Sequence, residues 1–197
     1  MCWNAEVSLQ SFLVGLASIG IGALRGASFP VLLFALTIVF MQLIEYIVWS
    51  NYENKDINRQ ASLAARALLW TQPIASILTT QSPGPMLVAY FVTTLLVSFL
   101  GPERDYSMTR APNGHLAWNW LTKEPSTYLS LAVYFVFLLL PLIMSRSFLL
   151  LGLSLGTLAV SLYTFWKDNT WGSMWCWMIN WVAVASLLKE GPGSVHT

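Results

Sequence analysis

The chain has 197 residues, 56% of them hydrophobic and 10% charged, with ten Lys and Arg against nine Asp and Glu for a net charge of +1. A soluble domain carries roughly 45–50% apolar and 25% charged residues, so this composition excludes an ordinary water-soluble fold and points to a chain solvated by lipid. The balanced charge leaves no polybasic run, and with it no footing for a nucleic acid.

The apolar residues fall into seven blocks: Val7 to Leu24, Phe29 to Trp49, Ala61 to Thr80, Met86 to Leu100, Thr127 to Met144, Phe148 to Trp166 and Trp171 to Leu188. About 20 helical residues cross a hydrocarbon core of about 30 Å; the fourth block is short, so six or seven spans are expected. The blocks lack the alternation of barrel strands and are about twice their length, and lipid otherwise admits only helices. The expected fold class is therefore all-α, a polytopic transmembrane helical bundle with seven spans. It forms one domain over residues 1–190 with a short tail at 191–197.

The first block follows no basic n-region and ends without an A-x-A-like site, so it is expected to remain as a helix. It is thin, with Gly15, Ala17, Gly20 and the pair Gly22-x-x-x-Gly26, a spacing that reports close helix contact. In the second block Glu45 is the most informative residue. An acid inside a span costs about 2.5–3.5 kcal/mol on insertion scales and faces the bundle interior by default. Gln42, Glu45 and Trp49 share one face at helical spacing. In the third block Arg66 lies at a similar depth, so a buried Glu45–Arg66 pair is expected, serving either a ligand or packing alone. The same block holds Trp70-Thr71-Gln72-Pro73, where proline releases a carbonyl one turn earlier and permits a kink.

Between the fourth and fifth blocks runs Asn113-Gly114-His115-Leu116-Ala117-Trp118-Asn119-Trp120, too aromatic for a solvated linker and expected to fold back over the bundle. His115, the one histidine outside the tail, reads more simply as a hydrogen-bond partner than as a ligand or catalyst. In the seventh block Ser173, Cys176 and Asn180 form a polar stripe with Trp177 and Trp181 beside it and Trp171 and Trp175 roughly opposite. The opposite pair reads as an interfacial belt. The stripe reads as a cavity wall or as interhelical hydrogen bonding.

With seven spans, the N-terminus and the links after the second, fourth and sixth helices share one side. That side holds Lys55, Arg59, Arg66, Arg104, Arg110, Lys123 and Lys167 against Arg25, Arg146 and Lys189 on the other. The bias places the first side, and the N-terminus, in the cytoplasm, where Cys2 and Cys176 would stay thiols. All ten tryptophans should lie at or near it. No cofactor is expected, because H-E-x-x-H, C-x-x-C, G-x-S-x-G, a phosphate loop and a haem histidine pair are all missing. A mixed metal site of Cys2, Cys176, His115 and Glu45 has no supporting spacing.

The opening Met1-Cys2-Trp3 with Ser8, then Gln72-Pro73, Gly114-His115-Leu116-Ala117-Trp118 and Gly172-Ser173-Met174-Trp175-Cys176, together resemble a family of small multi-pass membrane proteins of unicellular eukaryotes and large DNA viruses. That resemblance implies seven helices and carries no activity onto these positions.

Three functions follow as expectations. The first is binding or transport of a small solute, ion or proton in a one-sided vestibule. There Glu45 is the switchable charge, Arg66 its partner, Gln42 and Asn180 the orienting groups, and Trp49, Trp70, Trp177 and Trp181 the walls, with Gln72, Ser173, Cys176, His115 and Cys2 around them. The second is a structural subunit of a membrane assembly or viral inner membrane, with homo- or hetero-oligomeric contacts. The third is an intramembrane enzyme using a thiol. The lipid bilayer is a partner in all three.

Overall fold

Asn4 starts the first helix: its backbone is extended and its side chain accepts from the Val7 N–H at 2.8 Å, capping α1 (Ala5–Leu24). The helix stops where Gly26 takes φ +85 and the Ala27 N–H closes back on the Gly22 carbonyl at 2.9 Å, a left-handed turn that favours glycine. Gly26 thus serves the turn and meets no neighbour, whereas Gly22 lies against Leu187 and Leu32; the expected glycine pair divides into one packing and one turning residue. Pro30 sits in the first turn of α2 (Phe29–Ser50), where its missing N–H costs nothing. Asn54 caps α3 (Lys55–Ile77) by accepting from Asp56 and Ile57, both at 3.1 Å. The helix therefore begins six residues before Ala61, in polar turns that hydropathy does not register.

The remaining helices are α4 (Pro83–Phe99), α5 (Pro125–Met144), α6 (Phe148–Phe165) and α7 (Trp171–Lys189). This computed structural model describes residues 4–99 and 105–189; Cys2, Trp3, Arg104 and the tail lie outside them. Contacts run from α1 to α2, α2 to α3, α3 to α5, α5 to α6, α6 to α7 and α7 back to α1, closing a ring. An α2–α7 contact crosses one side of it, and α4 stands outside against α5 and α3. Ser11 meets Trp177 and Asn180, while the Arg25 guanidinium donates to the Leu188 carbonyl, so α1 and α7 run the same way. The described residues thus form seven helices of which the first and last are parallel.

The sides are inverted relative to a water-soluble protein. Leu13, Val92, Leu96, Val136, Leu149 and Val160 are exposed, whereas Gln42, Glu45 and Asn180 are each 0% exposed. Such a molecule hides its polar groups from an apolar solvent. By length and composition α1, α2, α5 and α6 are able to cross a membrane. The other three fall short for readable reasons: α3 carries Arg66 and Gln72 along its length, α4 has only 17 residues, and α7 is rich in Trp and carries Asn180.

The aromatic link between α4 and α5 folds back as expected, but as a hairpin. β1 (Met108–Arg110) pairs antiparallel with β2 (Leu116–Trp118), Met108 opposite Trp118. Buried Asn58 on α3 clasps it, donating to the Met108 carbonyl at 2.8 Å and accepting its N–H at 2.9 Å. Met108, Leu116, Trp118, Trp120 and Leu121 thereby join the hydrophobic core. The hairpin seats on the start of α7, where a Cβ on Gly172 would stand 2.9 Å from Leu121 and 3.1 Å from Trp118. Gly172→Ala should therefore lower stability by about 1–3 kcal/mol, the usual cost of overpacking, read as a lower melting temperature in detergent; an unchanged melt would show that the hairpin yields.

Candidate functional site

Two cavities enter the bundle from opposite ends. The first, about 120 Å³, lies at the hairpin end among α3, α4, α5 and the start of α7. Trp118, Trp120 and Leu121 roof it, Tyr90 and Thr94 form the α4 wall, and Tyr134, Trp175 and Cys176 close its depth. The second, about 380 Å³, opens at the other end beneath the α1–α2 and α5–α6 turns. Ser28, Thr79, Ser145, Ser147 and Ser186 give it a mouth of hydroxyls, and Ser154 and Gln72 lie further in.

Tyr134 and Trp175 are the two side chains that line both cavities, so they stand where the two meet. Their rings cross edge to face, 6.4 Å apart at 87°, and Phe135 braces Trp175 from 5.2 Å. The partition is tied on three sides. Tyr134 donates its hydroxyl to Gln72 Oε1 at 2.5 Å, and Gln72 Nε2 donates to the Thr37 carbonyl at 3.1 Å. The Trp175 indole donates to the Ser154 carbonyl at 3.3 Å. Pro73 withholds the N–H that the Leu69 carbonyl would receive; α3 nevertheless continues past it, and Tyr90 donates to the adjacent Trp70 carbonyl at 2.8 Å.

Arg66 lines the first cavity, and its guanidinium lies over the rings of Tyr106 and Trp70, 4.5 and 5.4 Å from their centroids. It therefore turns to two aromatic faces rather than to Glu45, against the expected ion pair. Equal depth on neighbouring helices did not place the two on facing sides. Glu45 sits behind the wall, accepting from Gln42 Nε2 at 3.3 Å, within electrostatic reach of the Cys176 thiol. Glu45, Gln42 and Asn180 are absent from the linings of both cavities.

The indole pairs of α7 are reversed from expectation, while the stripe of Ser173, Cys176 and Asn180 is buried. Trp171 and Trp175 are core residues, 4% and 3% exposed, while Trp181 is 39% exposed; the inward indoles are the pair that read as a belt. Trp177 donates to Ser11 at 3.2 Å and touches Trp181 edge to face, which turns both toward α1 and away from the cavities. The polar stripe serves separate neighbours: Ser173 donates to the Leu116 carbonyl of the hairpin at 2.9 Å, Cys176 lines the first cavity, and Asn180 donates to the Ser11 carbonyl at 3.4 Å. Trp49 stacks on Tyr52, and Trp70 borders the first cavity while reaching the surface. The His115 N–H donates to Asn113 Oδ1 at 3.1 Å, and its ring meets Phe165 edge to face at 5.4 Å. Of the predicted site residues, the structure gathers Arg66, Trp70 and Cys176 at one cavity and puts Gln72 at the other. Cys2 lies outside the described residues. Among those residues no cluster of His, Cys, Asp or Glu has the makings of a metal site.

Sequence reasoning missed Tyr134, Trp175 as an inward group, and Tyr106. The Arg66–Trp70 spacing of four was available as a signal, since residues so placed meet on a helix. Nothing local announces Tyr134, which gains its place from α3 and α7. No family model matches the chain, and neither a curated protein nor a solved structure matches it.

Proposed function

We propose that this chain spans a membrane with all seven helices and carries a small solute or ion through the bundle, by way of two cavities separated by the Tyr134–Trp175 partition. The observation that supports it is the pair of opposed cavities sharing those two side chains. A bundle built only to pack would gain nothing from hollows at both ends, because each forfeits dispersion contacts. In this reading the solute passes the hydroxyl mouth, pauses against the partition, and crosses when Tyr134 and Trp175 shift. Gln72 holds the closed position through its bonds to Tyr134 and Thr37. Glu45 acts from behind the wall, by setting the field around Cys176 and α2, rather than as the group the solute touches. The hairpin end, with most of the Lys and Arg, faces the cytoplasm.

Thiol labelling in sealed vesicles tests this. In a Cys2→Ser, Cys176→Ser background, a membrane-impermeant reagent should modify Ser186→Cys from one side and Ser130→Cys from the other. Labelling of both from the same side would defeat the two-ended path and the seven-span threading together.

A further inference from the structure

We infer that the first cavity is a binding site for a small organic anion, a carboxylate or phosphate group on an apolar body, with Arg66 as its recognition residue. The inference deepens the two-cavity reading and rests on it for the position of the site. Three observations carry it. Among the described residues Arg66 is the sole charged residue lining the first cavity and Arg25 the sole one lining the second, so the described walls of both hollows present a cation and no carboxylate. A path for a cation would be lined the opposite way.

The second observation is the posture of the guanidinium. Its central carbon lies over the rings of both Tyr106 and Trp70, contacts that engage its charge without using its N–H donors. Among the described residues Arg66 makes neither a hydrogen bond nor an ion pair, so its five N–H donors find no acceptor among them. A planar fork set against two rings with its N–H donors open is prepared for a bidentate anion. The third is the wall below it, with Trp120, Leu131, Phe135 and Trp175, which suits an apolar or aromatic body rather than a hydrated inorganic ion.

The anion is either free in water or the head of a lipid that enters beside α4, and one titration separates them. The full chain is placed in phosphatidylcholine nanodiscs and titrated with 4-bromobenzoate, whose bromine quenches the cavity tryptophans on contact, and with the neutral 4-bromobenzamide. The acid should quench saturably, with the amide about tenfold weaker or more, the scale set by losing one charge-assisted contact. Arg66→Gln should weaken the acid by a similar factor and leave the amide unmoved, with Arg66→Lys between. Loss of the acid signal in phosphatidylglycerol nanodiscs at high salt would identify a lipid headgroup as the natural anion; its retention would identify a free solute. Equal affinity of wild-type protein for acid and amide overturns the inference without recourse to any variant. It would do so while leaving the labelling pattern, and hence the two-ended path, intact.

Discussion

Gly15→Ala should destabilise the bundle by about 1–3 kcal/mol, the scale of forcing a methyl into a filled core, and Gly15→Leu should abolish the folded state. A Cβ at this position would stand 2.7 and 2.8 Å from the two γ-carbons of Val39 and 3.2 Å from the Asn180 side-chain oxygen. Val39 is 0% exposed and β-branched, so it has one strongly preferred rotamer in a helix and no room to turn. Asn180 is equally buried and tied to the Ser11 carbonyl. Three helices thus meet on a missing side chain. In lipid, where apolar burial supplies little drive between helices, such close approach is what holds them. The double variant Gly15→Ala, Val39→Ala should recover much of the loss, because the second change removes both clashing methyls. Gly20 is the control. A Cβ there meets nothing within 4 Å, so Gly20→Ala should be neutral or gain about 0.5–1 kcal/mol of helix propensity. Denaturation in mild detergent measures all four. Equal stability of Gly15→Ala and Gly20→Ala would mean that α1 does not rest on α2 as described.

That contrast also marks how far the chain could be read before it folded. The helices were legible because length and apolarity act locally. Every helix was placed within a few residues except the start of α3, where Asn54 caps a polar turn that a hydropathy reading passes over. Angular positions on α7 were legible too, since Trp171 and Trp175 do lie away from Trp177. Which face turns inward was not. Residues 171–176 are all buried, because the hairpin covers what a bare helix would show to lipid, and the hairpin depends on Asn58 reaching Met108 fifty residues away. The Glu45–Arg66 pair failed for a related reason. Depth along an axis follows from counting, whereas rotation about it is set by neighbours, and Tyr106 captured the guanidinium. Polarity of the interior was foreseeable from Glu45, Gln42 and Asn180. Cavities arise from what three or four helices jointly leave unfilled, so no single segment carries them.

Removing the partition should have the largest functional consequence. In Trp175→Ala the indole that lines both cavities is lost, and with it the edge-to-face contacts to Tyr134 and Phe135, so hollows of about 120 and 380 Å³ should join into one passage. Small-anion entry into proteoliposomes, followed by iodide quenching of an enclosed dye, should then rise by about tenfold or more over wild type, equivalent to lowering a barrier by about 1.4 kcal/mol. Trp175→Phe keeps a ring in the gap and should stay close to wild type. Tyr134→Phe keeps the ring but cuts the bond to Gln72, a loss of about 0.5–1.5 kcal/mol, so it should leak by a smaller factor. A core Trp→Ala change costs about 3–5 kcal/mol of stability; each variant's melt in the same detergent therefore accompanies the flux, and a flux rise counts only from protein that still elutes as a single folded species. Folded Trp175→Ala that is as tight as wild type would place the barrier elsewhere. Equal leak of anions and cations through the same variant would keep the passage while removing the selectivity assigned to Arg66 and Arg25. The comparison of Tyr134→Phe with Trp175→Phe is the sharper criterion: Trp175→Phe loses both volume and the indole bond to Ser154, so a bundle merely loosened by mutation would leak more through it, whereas a gate would leak more through Tyr134→Phe, whose ring is released from Gln72.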